Sequence, residues 1–597
     1  MTEAVNLLFS QEFLIRALVV GVLISLCCAL LGVSLVLKRF SMIGDGLSHV
    51  GFGAMAIGAA AGVAPLYFAL PIVIVAAFLL LRMSEKGKIK GDAATALIST
   101  GALAIGVMAT SMTTGMNVDI YNYMFGSILT MSEGDVVISS VLSLCVIALF
   151  VIFYHEIFAV TFDENFAKAT GTRASAYNML IAALTAVTIV IGMKMMGALL
   201  ISSLIIFPTV SSMRLCKSFR SVVLFSSLIS VFCFLSGLVL SIKYEAPTGA
   251  SVVCVNIFLL GVLSLIRQIK LSNLKNTPGH LAIAVTVVLS SALFIFAMVY
   301  GDGYTYQKEK TSVVATTFAP YDFAKQITGS SAEVTMLLAP GEESHTYEPT
   351  PGDIMKIQQC DLFIYGGGES EKWVDGILSS LDGKVRTVKM METVELYEEE
   401  HDHSEHEEHH ADKEYDEHVW TSPLNAIEIV KAISYELQNV DVKNAEIYAD
   451  NTVKYISALE ELDSAFDQMI GKSRNKTIVI GDRFPLMYFT ERYSLAYYSA
   501  FPGCSAQTEA NPATMARLIE KVKEENIPVV FKVDLSKGSV AQTISEATQA
   551  YVDTLYSCHV ISAEDFAAGE TYISLMNRNF KALESALNLQ LIFESCS

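Results

Sequence analysis

Acidic residues are scarce in the first half of this chain. Residues 1–300 hold 12 Asp and Glu against 17 Lys and Arg, a formal charge of +5. Over 597 residues only 17% are charged, yet the net charge is −20, so the second half must carry −25. That division excludes a single soluble globule, and no basic patch of the kind that binds nucleic acid is present. Ten cysteines in 597 residues exclude a disulfide-dense secreted scaffold, and the four at 360, 504, 558 and 596 lack the close spacing of a zinc ribbon. A G-x-x-x-x-G-K-[S/T] phosphate loop is missing, so the usual ATP hydrolysis is not expected of this polypeptide. A cleavable signal peptide is not expected either: residues 1–12 lack a basic start, and the first apolar run ends in Lys38-Arg39.

What the first half has is apolar length. An α-helix needs about 20 mostly apolar residues to cross a bilayer. Ten segments qualify: 13–37, 47–62, 64–81, 93–112, 136–154, 177–193, 196–212, 221–242, 249–266 and 281–300. With the N-terminus outside, 14 of the 17 basic residues fall in inner loops, among them Lys38, Arg82, Lys168, Arg214 and Arg267. Arg16, Lys194 and Lys243 are the exceptions. This orientation puts the acidic half outside the membrane, with 281–300 as its anchor. Six cysteines then lie in spans or an inner loop. Cys360, Cys504, Cys558 and Cys596 face the oxidising side, where a disulfide is open and its pairing undetermined.

Polar groups at membrane depth are costly and carry information. Asp45 and His49, four apart at the entry to the second span, share a helix face. They are either a mutually satisfied pair or a transient divalent-cation site on a path; the second is the expectation. Gly51-Phe52-Gly53 follows no strand, so it reads as close helix packing rather than a dinucleotide fingerprint. On the inner side, Thr161 to Gly171 reads as a short amphipathic helix capped by Gly171, either solvated or docked on a cytoplasmic partner. Gly197 and Pro208, then Pro247-Thr248-Gly249, stand where helices pack closely or unwind.

Gly44-Asp45-x-Leu47-Ser48-His49, Phe162-Asp163-Glu164 through Gly171, Gly197-Ala198-Leu199-Leu200 and Pro247-Thr248-Gly249 together resemble the zinc/manganese-type ABC importer permease over about residues 10–268. The resemblance implies that Asp45 and His49 lie on the metal route. It also implies that 161–171, with Asp163, Glu164, Lys168 and Gly171, meets a cytoplasmic ABC ATPase. The permease is expected to pair as a homodimer in the lipid bilayer. Its family ends near 268, so the tenth span and linker (269–310) are a departure.

From Thr311 the pattern turns soluble. Strands are expected at 312–318, 333–338, 360–365, 477–480 and 527–531, alternating with helices, and one long helix at 441–470. Two α/β lobes joined by that helix would place a ligand in their cleft. Histidine supplies the chemistry: eight of 11 follow residue 340, and seven lie between 345 and 418. His345 and His418 each follow an expected strand end, and together they point to metal binding. The acidic tract 398–412, with His401, His403, His406, His409 and His410, has almost nothing to bury and reads as a disordered auxiliary capture loop. Its His406-Glu407-Glu408-His409-His410 run satisfies the zinc-protease pattern without the buried helix that chemistry requires.

Val314-Ala315-Thr316, Ser344-His345-Thr346-Tyr347-Glu348-Pro349, Gly366-Gly367-Gly368-Glu369 and His418-Val419-Trp420 with Ser422-Pro423 resemble the zinc/manganese solute-binding proteins over about 311–590. That resemblance implies His345 and His418 as metal ligands, with Asp482 the nearest match to the third and Asp534 to the last. Glu343 or water could complete the set. The expectation is therefore a two-part chain: an all-α membrane domain of about ten helices, then an extracytoplasmic two-lobed α/β receptor. It would be no enzyme but the joined permease and receptor of a metal importer in a bacterial cytoplasmic membrane, driven by a separate ATPase. Zinc is the expected cargo, with manganese or iron as the alternative. Two rival classes stay open: a membrane-anchored metal sensor or adhesin, and an anchored metallohydrolase, which would need a general base beside an open metal site.

Overall fold

The structure is a computed structural model. It describes residues 12–40, 42–60, 65–85, 91–112, 128–129, 131, 133–244, 246–270, 310–342, 347, 349–381, 385–398, 415–501 and 512–588. The chain divides into two compact units, the first of residues 1–306 with the short segments 348–354 and 379–381, the second of the remainder.

The first unit is helical. Among the described residues its long helices are Glu12–Leu37, Ile43–Ala60, Pro65–Glu85, Gly91–Met112, Glu133–Ile152, Ala174–Met196, Ala198–Leu215, Phe219–Tyr244 and Thr248–Lys270. Each overlaps one expected span; the tenth, 281–300, lies outside the described residues. Six are long and apolar enough to cross a membrane, and Tyr67–Leu80 and Ala93–Gly106 are shorter apolar stretches. The surface is the reverse of a soluble protein's. Leu97, Val137, Val151 and Leu228 are exposed while Ser25, Ser34, Thr209 and Ser230 are buried. Ser230 and Thr209 find partners inward: the Ser230 hydroxyl donates to the Ser25 carbonyl at 2.9 Å, and the Thr209 and Ser226 hydroxyls lie 3.3 Å apart, whereas the Ser25 and Ser34 hydroxyls are buried without one.

Glycines set the closest approaches. A Cβ on Gly53 would stand 2.4 Å from the Ala102 carbonyl oxygen, which ties Ile43–Ala60 to Gly91–Met112 as small-residue packing does. Gly197, at φ +79, separates the two helices on either side of it. The inner helix is shorter than the 161–171 expected. It runs Glu164–Ala169, because the Asp163 carboxylate caps it by accepting the Phe166 N–H at 2.9 Å. Gly171 lies one residue past the cap at φ +88, where the Gly171 and Thr172 N–H groups bond back to Lys168 and Ala167.

The second unit holds two four-stranded parallel sheets. The first comprises β1 (Thr311–Ala315), β2 (Ala332–Met336), β3 (Leu362–Tyr365) and β4 (Thr387–Lys389) in the order β2-β1-β3-β4. The second comprises β5 (Thr477–Ile480), β6 (Ala496–Ser499), β7 (Val529–Val533) and β8 (Tyr551–Leu555) in the order β6-β5-β7-β8. Sheets covered on both faces read as unbroken apolar runs, and β3 is buried at every position.

The linking helix starts later than expected, at Ala445 rather than 441, and ends at Lys472. Asp441 stops the preceding helix Pro423–Val440 instead. Its carboxylate accepts hydrogen bonds from Thr311, Asn444 and Tyr448 at 2.7–2.8 Å. One apolar cluster runs from Val313 and Ile364, through Leu459 and Phe466 of the linking helix, to Ile480 and Phe531. Each such side chain contributes about 1.5–3 kcal/mol when fully buried. The two sheets therefore share one core.

Candidate metal centre

In open parallel sheets, ligands bind beyond the carboxyl ends of the strands, where the strand order reverses. Both sheets reverse there, between β1 and β3 and between β5 and β7. The loops at these ends carry the polar residues: Thr316 and Thr317 after β1, Gly366 to Glu371 after β3, Asp482 after β5, Asp534 after β7 and His559 after β8. His418 arrives on the segment before the short 3-10 turn Val419–Thr421.

Glu417, His418 and His559 converge. One ligand atom from each lies within 4.8 Å of the others, and all three are buried. The His418 and His559 rings stand edge to face with centroids 5.3 Å apart, and Trp420 packs against both. Asp416 Oδ1 lies 3.3 Å from His418 Nδ1 and accepts the His418 backbone N–H at 2.8 Å. A carboxylate in that place fixes the orientation of a metal-ligating imidazole.

The cluster joins the two lobes. Trp420 Nε1 donates to the Ser557 carbonyl at 2.9 Å, the Tyr572 hydroxyl donates to the Trp420 carbonyl at 2.7 Å, and the Phe318 N–H donates to the His559 carbonyl at 3.1 Å. Two turns hold non-glycine residues in the left-handed region beside site residues: Leu535 (φ +62) after Asp534, and Cys558 (φ +55) before His559. Such backbone costs on the order of 1–3 kcal/mol and concentrates at functional sites.

The electrostatics favour a cation. Glu371 Oε1, Asp416 Oδ2, Glu417 Oε1, Asp482 Oδ2 and Asp534 Oδ2 are buried without a hydrogen-bond partner. Buried carboxylate oxygens left unpaired are expensive, and a metal ion is one way to compensate them. Burial pushes Glu371 up to about 7, with Glu417 adding to the rise and the Gly367 N–H opposing it. Burial also raises Asp534 to about 6, against a hydrogen bond from Ser557 and the nearby His418. Gly368 leaves room for Glu417, since a Cβ there would fall 2.1 Å from Oε2, and the Ser370 N–H donates to that oxygen at 3.0 Å. Imidazole nitrogen with carboxylate oxygen suits zinc, manganese or iron.

The structure thus brings His418 together with two residues the sequence reading passed over. Asp534 accepts the Ser557 N–H at 3.0 Å, two residues before His559. Asp482 stands outside the three-residue group, accepting the Arg483 N–H at 3.0 Å. His345, Glu343 and the histidines of 398–412 lie outside the described residues. A signal for His559 existed: it is the one histidine after residue 340 that falls outside 345–418. In the helical unit Asp45 and His49 do share a face, with His49 Nε2 3.8 Å from Asp45 Oδ1.

Residues 313–586 match the family described as zinc-uptake complex component A, periplasmic, and residues 10–268 match the ABC 3 transport family. The chain is 33% identical over 282 residues to the zinc-binding lipoprotein AdcA of Streptococcus pneumoniae, covering 46% of this chain and 55% of that protein. It is 32% identical over 283 residues to the high-affinity zinc uptake system protein ZnuA of Bacillus subtilis, covering 47% of this chain and 88% of that protein. The crystal structure of Zn(II)-bound AdcA from S. pneumoniae aligns at 31% identity and a TM-score of 0.41, over 47% of this chain and 58% of that one. The chain spans about half the length of the streptococcal relatives it matches. Through its second unit, the chain belongs to the zinc-uptake component A family.

Proposed function

We propose that this chain takes up a divalent transition metal, zinc before manganese or iron, as the joined permease and receptor of an importer. The single observation that carries the reading is the buried convergence of Glu417, His418 and His559 in a polypeptide whose residues 10–268 match the ABC 3 transport family. In this reading the receptor lies outside the membrane and captures the ion with His418, His559 and Glu417. His345, Asp534 and Asp482 complete or surround the shell, and the histidines 401, 403, 406, 409 and 410 raise the local metal concentration. The permease spans the bilayer about ten times, pairs as a homodimer and passes the ion by Asp45 and His49. A separate cytoplasmic ATPase docks on the inner helix framed by Asp163, Glu164, Lys168 and Gly171, and supplies the energy.

Tethering the receptor to the permease substitutes a high effective concentration for diffusion of a free receptor. The sensor or adhesin reading would need only one anchoring helix, against the many long helices described, so import is favoured. Zinc uptake into cells expressing the chain, with and without the ATPase, tests the proposal. Uptake should need the ATPase and should be lost in a His418→Ala, His559→Ala double variant that is expressed normally. ATP-driven uptake by the chain alone, or full uptake by the double variant, would sink it.

A further inference from the structure

The charged residues of the inner helix Glu164–Ala169 are occupied in holding it, and one of them is tied into the bundle. The Asp163 carboxylate caps the helix, and Glu164 pairs with Lys168. Glu164 Oε2 also accepts a hydrogen bond from Asn178 Nδ2 at 3.1 Å. Asn178 is only 4% exposed and belongs to the helix Ala174–Met196. Its Oδ1 accepts in turn from Lys38 Nζ, directly beyond the end of Glu12–Leu37. A single buried amide thus links the inner helix to two long helices that are far apart in sequence. The Glu164 carboxyl is desolvated, yet the Lys168 and Asn178 hydrogen bonds and the Lys38 charge hold it below the usual carboxylate range.

Around this chain the packing is apolar and shallow. Ala167 is fully buried in a small cluster with Val160 and Ala174, while Phe162 and Phe166 are 74% and 66% exposed. Phe166 of this helix and Phe162, two residues before it, are thus exposed, while Glu164 is tethered inward. Both ends are capped locally, by Asp163 at the start and by the Gly171 and Thr172 N–H groups at the end, which opposes fraying.

We infer that Lys38, Asn178 and Glu164 form a strut that transmits displacement of the inner helix to Glu12–Leu37 and Ala174–Met196, with Asn178 as the positioning residue of coupling. This rests on the reading that the inner helix meets the ATPase. A buried amide bridging two charged partners resists extension in a way that the small alanine cluster does not. Loss of the bridge should let the inner helix move without carrying the long helices.

The test uses the full chain, purified with its co-purifying ATPase and reconstituted in proteoliposomes, with zinc chloride and ATP as probes. Asn178→Leu and, separately, Lys38→Met should retain the ATPase and its ATP hydrolysis while zinc uptake falls at least tenfold. ATP hydrolysed per zinc transported would rise by the same factor, and Lys38→Arg should restore it. A change in that ratio is not produced by partial unfolding, which lowers both rates together. Parental ratios in both variants would overturn the strut while leaving the docking reading intact. The double variant Phe162→Ala, Phe166→Ala tests that reading separately and should lose the ATPase; if it retains the ATPase in full, the docking reading fails and the strut with it.

Discussion

Replacing His559 is the most searching perturbation of the proposed site, because nothing near it in sequence marks it as a ligand. The His559→Gln variant keeps most of the side-chain volume beside His418 and Trp420 and removes the imidazole. Loss of a group that merely orients a metal ligand costs 10–100-fold in affinity, so loss of a ligand itself should exceed 100-fold. That is about 3 kcal/mol or more of binding free energy. The apo protein should be weakened much less, by about 1 kcal/mol, since the main-chain links at this turn do not depend on the ring. Among them are the His559 carbonyl accepting from Phe318 and the Ser557 carbonyl accepting from Trp420.

Chelator-competition titration of zinc against the parent and the variant would measure the first quantity, and thermal melting without metal the second. Metal-induced stabilisation offers an independent reading: at 1,000 times Kd it amounts to about 4.1 kcal/mol, and a 100-fold weaker site loses most of it. A folded His559→Gln protein binding zinc within threefold of the parent would refute the assignment of His559 to the metal.

Three further outcomes follow from the geometry. Glu371 is raised from 4.5 to about 7 in the fold, so its contribution to apo stability is full below about pH 4.5 and lost as pH rises through about 7. The loss is about 3 kcal/mol; Glu371→Gln should abolish that decline in urea melts run from pH 4.5 to 8, and an unchanged decline would count against it. Gly368→Ala forces Glu417 aside, because the added methyl falls 2.1 Å from its Oε2. It should cost about 1–3 kcal/mol in melting and weaken zinc binding by calorimetry, whereas a neutral result would mean that Glu417 has room to move. Asp45→Asn with His49→Gln should block zinc uptake while leaving zinc binding by the receptor unchanged; unimpaired uptake would remove that pair from the path.

Much of the architecture could be read from one dimension because its causes are local. A helix that crosses lipid must be apolar along its whole length, so helices such as Phe219–Tyr244 and Ala198–Leu215 announce themselves, and glycines such as Gly53 and Gly197 mark contacts and breaks. Parallel strands buried on both faces are likewise short apolar runs, and Thr477–Ile480 coincides with its expectation residue for residue. Helix ends were less legible. Asp441 and Asp163 each stop or start a helix by spending a carboxylate on nearby donors, and either residue could equally have stood inside one.

The site itself divides the same way. His418 was identifiable because the loop and turn around it, Glu417 through Pro423, form a contiguous pattern whose local chemistry is complete. His559 was not, because it stands 141 positions after His418, and only the packing of Trp420 and Tyr572 across the two lobes brings the imidazoles together. The order of residues determined which segments are apolar, which are acidic and where histidine is abundant. Which of those histidines face one another was decided by the shared core, since proximity across two sheets depends on how they pack and is encoded at no single place in the chain.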